Sequence, residues 1–308
     1  MSELSEKVSK SIDRLKTFEP PEGYYLAFSG GKDSVACKAL LEMAGCKYEA
    51  VYRVTSVDMP ELVRFIRDQH PDVIREVPRY KATEKPITMW NLIPRKMFPP
   101  TRMARYCCQY LKEDGGDGRM TVTGVRWAES VKRRKNQGAV VIHNMKEKDK
   151  TEDFRMGPRN DSLILVNDST DSRRMIESCY KRHKTVVNPI IEWEDRDVWD
   201  FIKANGIPYC DLYNQGYRRL GCIGCPMASR REREREFRDY PKYKRAYLLA
   251  FEKMLEYREK SRNGIRWRQG TTDYKEATAL DVYNWWMEYD ELPGQINLFE
   301  EDLSGETM

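Results

Sequence analysis

The feature that most constrains this chain is a glycine-rich segment near its start, between an apolar run and an amphipathic stretch. The run Tyr24–Phe28 predicts a buried strand, and apolar residues at helical spacing follow the segment as far as Gly45, where a helix would end. Glycines let the backbone approach an anion closely, and the first turn of a helix presents unpaired N–H groups. The segment therefore predicts a phosphate-binding loop, with an ordinary Gly-Gly turn as the alternative. Its residues are Ser29, Gly30, Gly31, Lys32, Asp33 and Ser34.

The spacing within this loop indicates its class. A Walker loop has about four residues between its first glycine and the Gly-Lys pair, whereas the two glycines are adjacent here and an aspartate follows Lys32. The segment resembles the pyrophosphate-binding loop of the adenine nucleotide α-hydrolase-like superfamily, which includes ATP pyrophosphatases, tRNA thiolation enzymes and sulfonucleotide (PAPS/APS) reductases. The resemblance implies an adenine nucleotide whose phosphates lie on Ser29–Ser34.

Strands and helices alternate beyond the loop. Tyr48–Val54 predicts a second strand, a helix begins near Pro60, and Ile74–Val77 predicts a third strand. This β-α-β-α pattern predicts an α/β fold whose doubly wound, mainly parallel sheet has helices on both faces. Ligands of such sheets bind outside the carboxyl ends of the strands, so we expect Thr55 and Asp58 beside the phosphate loop. Asp58 would accept a hydrogen bond from a ribose or cap the helix near Pro60.

The sequence divides into a nucleotide-binding α/β domain, residues 1–228, and a C-terminal helical region with a tail, residues 229–308. Within the first, residues 135–180 are polar and are interpreted as an insertion with one strand at Leu163–Val166, and residues 208–228 form a cysteine-containing loop. Residues 85–106 are expected to be irregular. The other predicted elements are a lead-in helix within residues 1–20, strands at Thr121–Val125 and Val186–Ile190, and helices at Asp195–Asn205, 230–262 (interrupted or kinked at Pro241) and Ala279–Tyr289.

Four of the eight cysteines lie in two close pairs, Cys107 with Cys108 and Cys222 with Cys225. Four thiolates suit a zinc ion or an iron–sulfur cluster. Adjacent cysteines chelate one tetrahedral zinc poorly, because structural zinc sites use pairs separated by about two to four residues. A cubane spreads its irons apart, so neighbouring thiolates can bind different irons. The spacing favours a 4Fe–4S cluster over zinc, with buried core thiols as the remaining alternative.

Three further segments narrow the resemblance. Their order is that of cluster-containing members of the PAPS/APS reductase-like family, and the likeness covers roughly residues 24–134 and 186–228. Besides the phosphate loop, Cys107 and Cys108, the matching residues are Gly124, Arg126, Glu129, Ser130 and Arg133; Pro189, Ile190, Trp193, Asp197, Val198 and Trp199; and Gly221, Cys222, Cys225 and Pro226.

The resemblance implies roles for these residues. Catalytic roles are implied for Lys32, Asp33, Arg126 and Arg133. Nucleotide contacts are implied for Gly124, Glu129 and Ser130, in addition to the loop, Thr55 and Asp58. Ligation of a 4Fe–4S cluster is implied for Cys107, Cys108, Cys222 and Cys225.

Two features depart from the reductases of this family. The segment 135–180 separates the arginine-containing stretch from the next strand. The reductases also carry a nucleophilic cysteine beyond the cluster loop, whereas no cysteine follows Cys225 in this sequence. Cys179 and Cys210 are the nearest substitutes, and each is interpreted as a buried thiol rather than a nucleophile.

Three functions are compatible with these sequence features. The favoured one is an ATP pyrophosphatase-type enzyme that adenylates an acceptor for sulfur transfer, similar to DNA phosphorothioation ATPases and several tRNA thiolases. Lys32 and the arginines would neutralise charge as the α–β bond of ATP breaks, and Mg²⁺ would be held by the phosphates and Asp33. The second is a sulfonucleotide reductase that cleaves adenylyl sulfate with thiols. The third is a cluster-bearing nucleotide sensor or accessory subunit on DNA.

Charge and short motifs bear on partners. The net charge of +5 permits a nucleic-acid partner, DNA or tRNA, without requiring one. Basic residues concentrate at Lys132–Lys135 and at Arg230–Arg238, where alternation with glutamate is typical of an ion-paired, solvated helix. The tail Gln295–Phe299 resembles the peptide that docks on the bacterial sliding clamp, with packing on its own domain as the alternative. A homodimer is a further partner hypothesis.

No apolar run approaches the ~20 residues that span a bilayer, and the charged N-terminal residues lack the apolar core of a signal peptide. We therefore expect a cytoplasmic protein without a membrane segment. In that compartment the cysteines are expected to be thiols or ligands rather than disulfides.

Overall fold

The structure is a computed structural model that describes residues 3–113, 115–260 and 277–289. In these ranges the strands are β1 (Tyr24–Ala27), β2 (Tyr48–Arg53), β3 (Ile74–Glu76), β4 (Thr121–Val122), β5 (Val140–His143), β6 (Phe154–Met156), β7 (Ser162–Leu165) and β8 (Thr185–Val187). The α-helices are α1 (Glu3–Thr17), α2 (Lys32–Ala44), α3 (Pro60–Gln69), α4 (Met89–Lys96), α5 (Tyr106–Cys108), α6 (Val131–Asn136), α7 (Thr170–Cys179), α8 (Asp195–Ala204), α9 (Arg230–Asp239), α10 (Pro241–Lys260) and α11 (Ala279–Trp286). None of these helices has the length and apolar composition that crossing a lipid bilayer would require.

These elements belong to two compact units that alternate along the chain. The sheet unit contains all the strands named above and comprises Met1–Val54, Asp58–Glu76 and Asp114–Gly221. The helical unit comprises Thr55–Val57, Val77–Glu113 and Cys222–Met308. The phosphate loop therefore lies in the sheet unit, and both close cysteine pairs lie in the helical unit.

The sheet confirms the predicted α/β fold. Its strand order is β3-β2-β1-β4-β8-β5-β7-β6. The first five strands in this order pair in parallel, and β5, β7 and β6 continue the sheet in antiparallel pairings. The sheet is thus mainly parallel, with an antiparallel extension at one edge.

That extension corrects the interpretation of residues 135–180. The segment contains three strands and α7, whereas the sequence predicted one strand at Leu163–Val166. Because β5 pairs with β8, the segment widens the main sheet. Val140, Val141 and Ile142 of β5 are all fully buried, so this short run lacks the polar alternation by which a half-exposed strand is recognised.

Strands β1 and β4 bring two functional segments to the same edge of the sheet. Leu26 of β1 lies opposite Val122 of β4 in parallel register, so both strands end at nearly the same level. Tyr24 and Leu26 are fully buried, which anchors β1 in the centre of the sheet. Ser29–Ser34 follows β1 and Gly124–Arg126 follows β4, at the carboxyl ends where parallel sheets bind ligands.

Helix α1 holds the chain just before α8. The hydroxyl of Ser11, which is buried, donates to the carbonyl oxygen of Pro189 at 2.8 Å and accepts from Trp193 Nε1 at 3.1 Å. The Arg14 guanidinium donates to both carboxylate oxygens of Glu192, at 3.0 and 2.9 Å. These bonds fix the position at which α8 begins.

The helical unit contains a helix that the sequence did not predict. Residues 85–106, expected to be irregular, include α4. Thr88 caps it, since its side chain accepts from Asn91 N at 3.3 Å while Asn91 Oδ1 accepts from Thr88 N at 3.1 Å. Pro94 lies inside α4, and a proline in that position argues against a helix when only the sequence is read. The predicted interruption before Pro241 is confirmed, because it separates α9 from α10.

Candidate functional site

The turn of the phosphate loop depends on Gly30. Its φ of +71° lies in the left-handed region, which side chains disfavour. A Cβ at this position would lie 2.7 Å from Ile66 Cγ1 and 2.8 Å from Leu62 Cδ1, both on α3. A side chain at position 30 would therefore require Ile66 and Leu62 to move.

Two serines form hydrogen bonds within the phosphate loop. The Ser34 hydroxyl donates to the carbonyl oxygen of Gly31 at 2.9 Å and accepts from Ser29 N at 3.2 Å. Gly31 N in turn donates to Ser29 Oγ at 3.4 Å. The hydroxyls of Ser29 and Ser34, two residues of the predicted phosphate site, thus form hydrogen bonds within the loop.

A tyrosine hydroxyl accepts a hydrogen bond at the N-terminus of α2. Gly31 precedes the helix without a side-chain cap, and Lys32 N donates to the hydroxyl oxygen of Tyr213 at 3.0 Å. Tyr213 packs edge-on against Trp199, with 4.9 Å between ring centroids. Burial raises the pKa of Tyr213, so its hydroxyl stays protonated. No local sequence pattern indicates this contact, because 181 positions separate the two residues.

Four charged side chains form a network at this helix N-terminus. Asp33 Oδ1 accepts from Arg126 Nε at 2.7 Å, and Asp33 Oδ2 lies 3.1 Å from Lys32 Nζ. Asp195 Oδ1 lies 3.0 Å from both Lys32 Nζ and Arg126 Nη2. Two cations therefore share two carboxylates. Lys32, Asp33 and Arg126 were predicted site residues, whereas Asp195 was predicted only as the start of a helix.

The network differs in exposure from one member to the next. The Arg126 side chain is 4% exposed, whereas that of Asp195 is 66% exposed. Burial opposes the charge of Arg126, but the carboxylates of Asp33, Glu129 and Asp195 outweigh it and raise its pKa. Burial also opposes the charge of Asp195, yet Lys32 and then Arg126 lower the pKa of its carboxyl. Asp195 is therefore the most exposed of the four side chains.

The segment after β4 positions Arg126. Gly124 lies against the first turn of α2, where a Cβ would stand 2.9 Å from the backbone carbonyl carbon of Asp33. Glu129 accepts from Arg126 N at 3.0 Å and from Arg133 Nη1 at 2.6 Å. Ser130 caps α6 by accepting from Arg133 N at 3.2 Å. Glu129, Ser130 and Arg133 were predicted site residues, and the hydrogen bonds described here keep all three within the segment that positions Arg126.

Thr55 and Asp58 belong to different units. Asp58, in the sheet unit, is buried and accepts from the Tyr52 hydroxyl at 2.5 Å. It is not the cap of α3, because Met59 occupies that position without a side-chain hydrogen bond. Thr55, in the helical unit, is buried with its Oγ1 3.7 Å from Cys222 Sγ. Their predicted contact with a nucleotide stays a prediction.

The two cysteine pairs are neighbours within the helical unit. Cys107 and Cys108 share a hydrogen bond that raises the pKa of Cys107 and lowers that of Cys108, and the thiols of Cys222 and Cys225 lie close enough to raise the pKa of Cys107 further. All four are free thiols. In the described ranges no three His, Cys, Asp or Glu side chains have the arrangement of a formed metal site.

The loop that carries the second pair is fixed by its backbone. Gly224 N donates to Glu236 at 2.7 Å, and the Tyr247 hydroxyl donates to the carbonyl oxygen of Ile223 at 2.9 Å. Arg102 Nε donates to the carbonyl oxygen of Pro226 at 3.0 Å. α9, α10 and the stretch before α5 thus hold Cys222 and Cys225 in place.

The remaining candidate thiols lie elsewhere, in the sheet unit. Cys210 is buried, and burial raises its pKa, which suits the expected inert thiol. Cys179 is partly exposed at the end of α7, so its expected burial is only partial.

Comparison with known proteins assigns the chain to a family. A sequence profile described as the phosphoadenosine phosphosulfate reductase domain matches residues 23–228, which is more than half of the chain. The chain belongs to this phosphoadenosine phosphosulfate reductase domain family. The matched part of this family member contains the phosphate loop, the Arg126 turn, Asp195 and both cysteine pairs, whereas α9, α10 and α11 lie beyond it.

Individual relatives of this reductase-domain protein are distant or partial. An uncharacterized protein of Methanocaldococcus jannaschii, MJ0066, is 22% identical over 253 residues, which cover 79% of this chain and 43% of that protein. The adenosine 5'-phosphosulfate reductase of Neisseria meningitidis is 53% identical over 38 residues, which cover 12% of this chain and 16% of the reductase. The chain thus matches less than half the length of these relatives.

The structural likeness of this reductase-domain protein to solved structures is low. The phosphoadenylyl-sulfate reductase of Candida auris, solved as a phosphate complex, aligns with 72% of this chain and 96% of its own at 13% identity and a TM-score of 0.41. This value adds nothing to the assignment, which rests on the family profile.

Proposed function

We propose that this protein is an ATP pyrophosphatase-type enzyme that adenylates an acceptor. In this reaction an acceptor atom attacks the α-phosphorus of ATP, the bond from that phosphorus to the bridging oxygen breaks, and pyrophosphate leaves with the electron pair. The observation that carries the proposal is the pair of cations, Lys32 and Arg126, at the N-terminus of α2. Positive charge fixed at this position stabilises the charge that develops on pyrophosphate.

Mg²⁺ is the expected metal of this reaction. Its ligands would be mainly the phosphates, because Mg²⁺ keeps several waters and binds proteins through one or two carboxylates. Asp33 fits this role in its chemistry, since its oxygens keep lone pairs beyond those that accept from Lys32 and Arg126.

A 4Fe–4S cluster is proposed as the cofactor of the helical unit. Its ligands would be Cys107, Cys108, Cys222 and Cys225, and the proposal is supported by the location of all four, as free thiols, in the same unit. When bound, the cluster would carry or position sulfur for transfer to the adenylated acceptor. The chain's own part is to hold the four thiols, through the backbone contacts of residues 223–226 and the short helix α5.

Sulfonucleotide reduction is the second candidate, and the family assignment favours it. The difficulty for this candidate is that the reaction needs a reactive thiol to attack sulfur, and no cysteine of this sequence clearly fills that role. No cysteine follows Cys225 in this sequence, Cys210 is buried, and Cys179 lies on α7 in the sheet extension. A cluster-bearing nucleotide sensor or accessory subunit is the third candidate.

One experiment separates these functions. Protein purified without oxygen is incubated with ATP and Mg²⁺, and separately with adenylyl sulfate and a thiol reductant, and pyrophosphate and sulfite are measured. We expect pyrophosphate from ATP. Sulfite from adenylyl sulfate with ATP left intact would refute the proposal in favour of the reductase, and inertness towards both would favour the sensor.

We predict that Cys107→Ser and Cys222→Ser each lower the iron and acid-labile sulfide bound per chain to less than about half, because a cubane that loses one thiolate is held poorly. The measurement is metal and sulfide content after anaerobic reconstitution. Cys179→Ser is the matched control and should retain the full content. Tightly bound zinc without sulfide would contradict the cluster, and so would equal losses in all three variants.

Macromolecular partners belong to the same proposal. DNA or tRNA would be the acceptor, and a second copy of the chain is a further hypothesis. The clamp-like peptide Gln295–Phe299 lies outside the described residues.

A further inference from the structure

The structure distinguishes the two basic runs of the sequence by their pairing. In the α9 run, each of four arginines lies 3.0 to 3.5 Å from a carboxylate oxygen. These pairs are Arg230 with Glu234, Arg233 with Glu288, Arg235 with Asp239, and Arg238 with Asp239. Most of the positive charge on α9 is therefore neutralised within the helical unit itself.

The run on α6 is different. Arg133 pairs with Glu129, but Lys132, Arg134 and Lys135 are exposed and form no ion pair with any carboxylate of the described residues. A fourth cation joins them from the edge strand β6, where Arg155 Nη1 donates to the carbonyl oxygen of Lys135 at 2.9 Å. We call Lys132, Arg134, Lys135 and Arg155 the α6 face.

The α6 face is suited to an extended polyanion. Residues three or four positions apart on a helix, such as Lys132 and Lys135, have Cβ atoms about 5–6 Å apart, and like charges at this spacing repel. Here Lys132, Arg134 and Lys135 have no ion-pair partner within the described ranges. A phosphate backbone relieves this repulsion, because its charges are spaced closely and its condensed counterions are released on binding.

Two other ligands fit this face less well. A membrane surface is bound by helices with a broad apolar side, whereas α6 has six residues and a single exposed apolar side chain, Val131. Base stacking would need aromatic rings, and α6, whose sequence is VKRRKN, has none. The contact is therefore one of charge with the backbone, without sequence readout.

The position of the face connects it with the site. α6 begins directly after the turn in which Glu129 binds both Arg126 N and Arg133, and the Arg126 guanidinium contacts the phosphate loop through Asp33. We propose that the α6 face binds the phosphate backbone of a nucleic acid and holds it beside the phosphate loop as the acceptor. The acceptor role rests on the proposed function, whereas the binding does not.

The test measures binding of the full-length protein to labelled oligonucleotides of about 20 residues, without ATP, over a series of salt concentrations. The probes are single-stranded DNA, duplex DNA and an RNA hairpin, which separate the sources of the same backbone chemistry. The triple variant Lys132→Gln, Arg134→Gln, Lys135→Gln should bind on the order of 100-fold more weakly at low salt. Its slope of log K against log salt should fall by about 2 on single strands and about 3 on duplex.

The matched control removes the same net charge from α9, as Arg230→Gln, Arg235→Gln, Arg238→Gln. It should bind like the unmodified protein. Equal weakening by both triple variants would overturn the proposal, because net charge alone would then explain binding. So would an unmodified protein that binds none of the probes, or one that binds phosphatidylserine vesicles in their place. Pyrophosphate release is assayed separately. A failure of nucleic-acid binding would therefore leave the proposed enzymatic activity untouched, and a failure of that activity would leave the binding proposal untouched.

Discussion

Replacing Arg126 with glutamine is expected to lower kcat/KM for pyrophosphate release on the order of 10³-fold. The variant removes one of the two cations at the α2 N-terminus and leaves Asp33 without its 2.7 Å partner. Arg126→Lys should recover only part of the rate, because an ammonium group lacks the rigid planar fork with which the guanidinium donates from Nε to Asp33 and from Nη2 to Asp195.

The control for this variant is Arg173→Gln, which removes an exposed arginine paired with Asp168 in the same unit. It should leave the rate within about two-fold, since exposed pairs contribute little. If Arg126→Gln releases pyrophosphate at the rate of this control, Arg126 has no role in leaving-group stabilisation.

The reciprocal variant Asp195→Asn tests the exposed half of the network. The Asp195 carboxylate lies 3.0 Å from both Lys32 and Arg126, so it would compete with a bound phosphate for these two cations. Removing its charge should tighten the binding of inorganic pyrophosphate by about 3- to 10-fold, measured by titration calorimetry. Weaker binding would mean that Asp195 orients the two cations for the ligand instead of competing with it.

Gly30→Ala is expected to destabilise the sheet unit by about 2–5 kcal/mol. About 1–2 kcal/mol comes from a side chain at a left-handed φ, and about 1–3 kcal/mol comes from crowding against packed neighbours. Here the neighbours are Ile66 and Leu62, at 2.7 and 2.8 Å from the added carbon. The measurement is the midpoint of urea unfolding, followed by circular dichroism.

Gly45→Ala separates the two contributions. Gly45, at the end of α2, has a φ of +69°, almost that of Gly30, but nothing lies within 4 Å of an added Cβ. Its replacement should therefore reveal the backbone contribution alone, about 1–2 kcal/mol. Equal losses for both variants would show that α3 yields to the added methyl group.

The sequence was sufficient for those parts of the fold that depend on neighbouring residues. The apolar run of β1, the turn at Gly30 and the helix after it lie within about 20 residues, and their pattern predicts each element directly. The residues 135–180 were harder, because β5 is buried on both faces and reads as a short apolar run. α4 was missed since Pro94 argues against a helix unless its packing on α10 is known.

The candidate site could be predicted only in part, for a similar reason. Lys32, Asp33 and Arg126 were recognisable because they belong to short motifs. Tyr213 and Asp195 reach the α2 N-terminus from distant parts of the sheet unit, 181 and 163 positions beyond Lys32, and no local pattern marks them. Contacts between residues so far apart in the chain depend on the order and direction of the strands and helices. They can be predicted only once the whole fold is known.

The alternation of the two units along the chain has a consequence for biosynthesis. The sheet unit has its last residue at Gly221, whereas the helical unit combines Thr55–Val57 and Val77–Glu113 with everything after Cys222. During translation, more than a hundred further residues are therefore synthesised after the first cysteine pair before the second pair emerges from the ribosome. Any cofactor held by all four thiols can be inserted only late in translation or after release, and until then Cys107 and Cys108 need protection from oxidation.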